Sequence, residues 1–196
     1  IMAEPTDIPR VRIITVSGRI ASGSTTLAEH LVKKLNWRHL EGGEIFWEAV
    51  RKKMGLAEKD TNLRPDEDDK LFDAKLREIL KEEKHIVLET KLAAFNAQGV
   101  DGVFKILVLC ERAGVDQPQI RIDRLVNRDN IGVERAKEEV LHREMSDIEK
   151  WRRLYANNDP NWVYWEKKYY DLAINTYDKN ANETFNTALS AFGLKP

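Results

Sequence analysis

The stretch Arg12-Ile-Ile-Thr-Val-Ser17-Gly18-Arg-Ile-Ala-Ser22-Gly23-Ser24-Thr25-Thr26 decides the fold. Its first six residues form a β-branched, apolar run that suits a buried strand. Leu27, Ala28, Leu31 and Leu35 then fall on one face at helical spacing, so an amphipathic helix is expected from about Ser24 to Leu35. Between them lies a turn with glycines at 18 and 23, followed by Ser24 and Thr25. A strand, a turn of this spacing and a helix are the context of a phosphate-binding loop. Glycines let backbone N–H groups turn inward around phosphate oxygens, and the helix N-terminus adds partial positive charge. Thr25 is placed to put its hydroxyl on Mg²⁺. The lysine that would reach the β- and γ-phosphates is replaced by Ser24, which removes a charge from around the transferred group. A glycine-rich turn merely entering a helix is the plainer alternative.

Working outward, short β-branched runs alternate with longer helical patterns. His85-Ile-Val-Leu-Glu89, Phe104-Lys-Ile-Leu-Val-Leu-Cys110 and Leu172-Ala-Ile-Asn175 read as further strands. Helices are expected over Glu44 to Met54 and over Asp66 to Glu83, the latter after Pro65 with acidic residues where the helix dipole favours them. A long charged helical region runs from Gln117 to Tyr155, broken near Asp129-Asn130-Ile131-Gly132, and a closing helix spans Asn182 to Phe192. Such alternation implies a parallel sheet with right-handed crossovers, hence a three-layer α/β domain.

Composition bounds what this domain does. A length of 196 residues suits one domain, and 32 basic against 33 acidic residues give a net charge of −1. That balance argues against a protein that coats a nucleic acid polymer, although local charged patches survive such a sum. No segment approaches the roughly 20 apolar residues needed to span a bilayer. Residues 1–9 carry no basic-then-apolar leader pattern. With the lone Cys110, which allows no internal disulfide, this makes a cytoplasmic protein the expectation. His30, His39, His85 and His142 show no i, i+4 pairing and no nearby cysteine pair, so no zinc motif is read. No G-x-S-x-G elbow supports hydrolase chemistry. Seven aromatics between Trp151 and Tyr170 could stack bases, but lack a basic groove and read as packing or a subunit contact.

Five stretches in order resemble the archaeal-type cytidylate kinases, members of the P-loop nucleoside monophosphate kinases. They are Gly18 to Thr26; Gly43-Glu-Ile-Phe46; Leu88-Glu89-Thr90-Lys91-Leu92-Ala93; Arg121-x-x-Arg124-x-x-x-Arg128 followed by Arg143-Glu-x-Ser146-Asp-x-x-Lys150-Trp151; and Tyr170-Asp-Leu-Ala-Ile-Asn-Thr176. The family commonly carries Thr at the position of Ser24, so the missing lysine agrees with it. The resemblance implies a three-layer α/β/α P-loop fold with a five-stranded parallel sheet, NMP-binding helices and a short helical lid. The whole chain is then one domain over 1–196, with residues 1–10 flexible and the lid at about 124–146.

The resemblance also implies an ATP-dependent kinase that phosphorylates CMP or dCMP, with ATP and Mg²⁺ as cofactors and small nucleotides as its partners, as a monomer or weak homodimer. Gly18, Ser22, Gly23, Ser24, Thr25 and Thr26 would cradle the donor phosphates. Arg124, Arg128 and Arg143 would close from the lid, since guanidinium forks grip phosphate oxygens in pairs. The acceptor side departs from the family: Trp47 and Lys91 stand where it has arginines. Lys91, helped by Arg51 one turn past Trp47, would hold the acceptor phosphate. Asp66, Asp69 and Asp73 fall where the nucleobase should lie, and a carboxylate can accept from cytosine's exocyclic amine. Two rivals stay open: a kinase for another small acceptor, and a catalytically silent nucleotide-binding protein.

Overall fold

A computed structural model describes residues 4–46 and 65–196. Strand β1 (Ile13–Gly18) is buried along its whole length and its side chains alternate between two cores. Ile14 and Val16 face Leu27, Leu31 and Leu35 of helix α1 (Ser24–Leu35). Ile13 faces the opposite layer, where it meets Leu76 and Leu80. A strand buried on both faces is the mark of a parallel sheet covered by helices on each side.

The chain then forms β2 (Arg38–Glu41), α2 (Gly42–Phe46), α3 (Asp66–Glu82), β3 (Ile86–Glu89), the short α4 (Ala93–Asn96) and β4 (Val103–Leu109). A small hairpin of β5 (Glu111–Arg112) and β6 (Val115–Asp116) leads to α5 (Pro118–Asp129), α6 (Val133–Lys137), a π-helical segment over Glu138–Arg143, and α7 (Glu144–Tyr155). Strand β7 (Leu172–Asn175) and α8 (Ala181–Ala191) close the domain. The main sheet runs β2-β3-β1-β4-β7, every pairing parallel. Leaving β1, the chain turns toward β2 on one side, while β4 and β7 build the other. The crevice at the carboxyl end of β1 is therefore where a sheet of this kind binds ligands.

The fifth strand is β2, which the sequence does not announce. Arg-His-Leu-Glu has no β-branched residue and only Leu40 is apolar, so at the sheet edge it carries almost no strand signal. The expected Glu44 to Met54 helix is described only as far as Phe46; its remainder, with Trp47 and Arg51, lies outside the described residues. Within the leader expected to be flexible, Ile8 is buried, the Thr6 N–H donates to Leu35 O at 2.8 Å, and the Trp37 indole donates to Thr6 O at 2.8 Å.

On the acidic face of α3, Asp66, Asp69 and Asp73 meet α7. Arg153 forks onto Asp66 at 2.6 and 2.9 Å, and Lys150 Nζ lies 2.6 Å from Asp69 Oδ2. The Tyr155 hydroxyl and the Asn96 amide both donate to Asp73. Spacing at i, i+3 and i+7 aligns these carboxylates along one helix face. Spacing alone does not reveal that Lys150, Arg153 and Tyr155 of α7 pack against that face. Burial pushes the Asp73 carboxyl above its ordinary range, against the two hydrogen bonds that favour its charge. Tyr155→Phe deletes one of those donors beside a buried carboxylate, and is expected to destabilise the fold by roughly 1–3 kcal/mol in urea titration. A loss below a few tenths would mean that water replaces the hydroxyl.

The aromatics of residues 151–170 pack as expected. Trp151, Trp162 and Tyr164 form a buried cluster with Phe95 and Trp165 against it, in edge-on contacts such as Phe95–Trp162 at 5.5 Å.

Candidate active site

The turn after β1 is shaped by two glycines. At Gly18 a Cβ would lie 2.3 Å from Ser22 Oγ and 2.9 Å from Val108 O, so no side chain fits. Gly23, at φ +111°, takes a left-handed conformation that only glycine adopts without strain as the chain enters α1. The loop lines a cleft of about 770 Å³, and Gly18, Ser22, Gly23, Ser24, Thr25 and Thr26 all contribute to its wall. Among the described residues lining it, Arg19, Lys91, Arg124, Arg128 and Lys179 face a single carboxylate, Glu89. That excess of cations over one acid suits a polyanion.

Glu89 ends β3 and pairs in register with Val16 of β1, which brings its carboxylate to the loop. The Thr25 hydroxyl donates to Glu89 Oε1 at 2.6 Å, and His39 Nε2 lies 3.1 Å from Glu89 Oε2. Glu41 stands on the far side of the imidazole, 3.9 Å from His39 Nδ1. Burial raises the Glu89 pKa, the Thr25 hydrogen bond opposes the rise, and the neighbouring Glu41 adds to it. His39, beside the carboxylate, favours its charged form and only partly offsets the burial. With its proton committed to Glu89, the Thr25 hydroxyl keeps its lone pairs for a cation.

The three arginines expected to close from a lid fare differently. Arg124 braces the loop: it donates to Thr176 Oγ1 at 2.9 Å, Thr176 O at 2.8 Å and Ser22 O at 3.3 Å. The Thr176 hydroxyl lies 2.7 Å from the same Ser22 carbonyl. Arg128 reaches the cleft while forking onto its neighbour Asp129 at 2.6 and 2.9 Å, an exposed pair that a phosphate can displace at little cost. Arg143 does not line the cleft; its Nη1 lies 2.5 Å from Glu139 Oε2, within the π-helical segment. Lys91 lines the cleft and donates to buried Asp147 at 2.8 Å. Asp69 and Asp73 stay in the α3–α7 contact, outside the cleft lining.

Sequence reasoning gave no role to Glu89, His39, Arg19 or Glu144. The first had a readable signal: an acid at the carboxyl end of a buried strand is where open α/β sheets present their chemistry. His39 had none, because β2 itself was not legible.

A family model described as "AAA domain" matches residues 17–152. The cytidylate kinase of Haloarcula marismortui is 34% identical over 167 residues, covering 84% of this chain and 80% of that protein. The cytidylate kinase of Methanopyrus kandleri is 32% identical over 184 residues, covering 91% and 92%. Among solved structures, shikimate kinase from Bacteroides thetaiotaomicron superposes with a TM-score of 0.56 at 15% identity, over 94% of this chain and 99% of that one. At that identity the likeness bears on the fold alone, and it agrees with the five-stranded parallel sheet. Since the resemblance read from five short motifs extends to more than 30% identity over most of both chains, this protein belongs to the archaeal-type cytidylate kinase family.

Proposed function

We propose that this protein transfers the γ-phosphoryl group of ATP to CMP or dCMP, giving ADP and CDP or dCDP. The observation that carries the reading is the Thr25–Glu89 pair at the mouth of a glycine-shaped loop, in a cleft otherwise lined by cations. Phosphoryl transfer needs little covalent chemistry from a protein, so its residues work by holding groups in line and neutralising charge. Loop amides from Ser22 to Thr26 cradle the donor phosphates. Arg128 exchanges Asp129 for a phosphate oxygen. Closing the lid turns Arg143 from Glu139 toward the same group. Lys91 holds the acceptor phosphate as a point charge rather than a fork.

The donor set at Thr25 and Glu89 fits a hard divalent cation: two oxygen donors, a threonine hydroxyl and a part-buried carboxylate, side by side at the cleft. These two residues would hold Mg²⁺, which when bound neutralises donor-phosphate charge. With no lysine at 24, that neutralisation falls on the metal site and on the lid arginines.

No helix among the described residues is long and apolar enough to cross a membrane. Cys110 is a buried free thiol, which supports placing the protein in the reducing cytoplasm. The function is tested in a coupled assay of ADP release with ATP, Mg²⁺ and each nucleoside monophosphate in turn. Turnover is expected with CMP and dCMP ahead of AMP, UMP and GMP. Measurable ATP binding without turnover on either cytidine nucleotide would overturn the reading.

A further inference from the structure

The phosphate-binding loop is held from outside by a buried charge cluster. Glu144, the first residue of α7, is 1% exposed, and Arg121 of α5 is fully buried. Glu144 Oε1 accepts the Ile20 N–H at 3.0 Å. Its Oε2 accepts from Arg19 Nε at 3.0 Å and Nη2 at 2.6 Å. Arg121 donates to Ile20 O at 2.9 Å and forks onto Asp116 at 3.0 and 2.7 Å. The Arg19 guanidinium also lies 4.1 Å over the Trp165 ring. The Tyr164 hydroxyl donates to Gly18 O at 3.1 Å. From Gly18 to Ile20, therefore, both polar backbone atoms of Ile20, the carbonyl of Gly18 and the side chain of Arg19 are fixed by residues more than 95 positions away in sequence.

A loop with a lysine at 24 gains a charged anchor to its ligand when the phosphate arrives. This loop has Ser24, so any ordering it needs must be met beforehand, in the folded protein. We infer that Glu144 is a positioning residue that preorganises the phosphate-binding loop through Ile20 and Arg19, offsetting the restraint lost with the lysine. Arg121 completes the brace, because its guanidinium satisfies Glu144 and the Ile20 carbonyl together. Glu144 also directly follows Arg143 at the end of the π-helical segment. The lid arginine thus swings from a point pinned to the loop that it must meet.

The inference rests on the cleft being an ATP site, so ATP binding is measured by calorimetry without acceptor, separately from turnover. Glu144→Gln is expected to weaken ATP binding and raise KM for ATP about tenfold, with a smaller change in kcat. Adding Ser24→Lys to that variant should recover most of the lost ATP affinity, while the same change in the wild-type background improves it less. Unaltered ATP affinity in folded Glu144→Gln overturns the inference, as does a lysine whose gain is equal in both backgrounds. If the wild type itself binds no ATP, the kinase reading fails instead. Should Glu144→Gln fail to fold, amide exchange of the wild-type loop decides. The Ile20 amide should be protected without nucleotide and change little on adding ATP; protection that appears only with ATP would overturn preorganisation.

Discussion

Glu89→Gln is expected to lower kcat by on the order of 10²-fold or more without lowering thermal stability. The loss follows from geometry, because Glu89 is the carboxylate that orients the Thr25 hydroxyl and faces the cations of the cleft. An amide keeps the size and one acceptor but cannot supply the charge that a divalent cation needs. The stability expectation follows from burial. The folded protein holds the Glu89 proton more tightly than the unfolded chain does. Stability is therefore lost as pH rises from the ordinary glutamate range through the raised folded value. Above that window the ionised carboxylate is a net cost, which glutamine does not carry. The melting temperature at neutral pH should be no lower than that of the wild type, and any advantage should fade as pH falls toward 4. A variant that melts earlier and keeps its kcat would make Glu89 a structural residue.

Arg128→Ala should lower kcat by a factor of about 10², with less effect on KM for either nucleotide. Its side chain stands at the cleft, parked on Asp129 in a half-exposed pair. Asp129 keeps the guanidinium fork ordered, and its own carboxyl is held below the ordinary range chiefly by the hydrogen bond from Arg128. Exchanging this partner for a phosphate as charge moves onto the leaving oxygen is a gain confined to the transition state. Asp129→Ala is the control: it frees the arginine without removing it, so kcat should stay within about twofold. Steady-state kinetics at saturating ATP and CMP reads both variants. An unchanged kcat in Arg128→Ala would remove this residue from the chemistry.

What the sequence made legible was local. The loop, α1, α3, the break after Asp129 and the closing helix each depend on neighbours within a few residues. What stayed hidden was set by partners far along the chain. The cations that pair with Asp66 and Asp69 lie about 80 residues away on α7, where no local pattern announces them. The motif around Arg143 likewise gave no sign of its ion pair with Glu139, one turn before it. Edge strand β2 was missed because hydrogen bonding to β3, not its own composition, makes it a strand.

Helix α7 meets, in order along its length, the loop through Glu144, the end of β3 through Asp147 and Lys91, and α3 through Lys150 and Arg153. One rod thus touches the walls assigned to both substrates. If donor binding shifts that rod, linkage requires the coupling to run both ways: the factor by which ATP alters the affinity for CMP must equal the factor by which CMP alters the affinity for ATP.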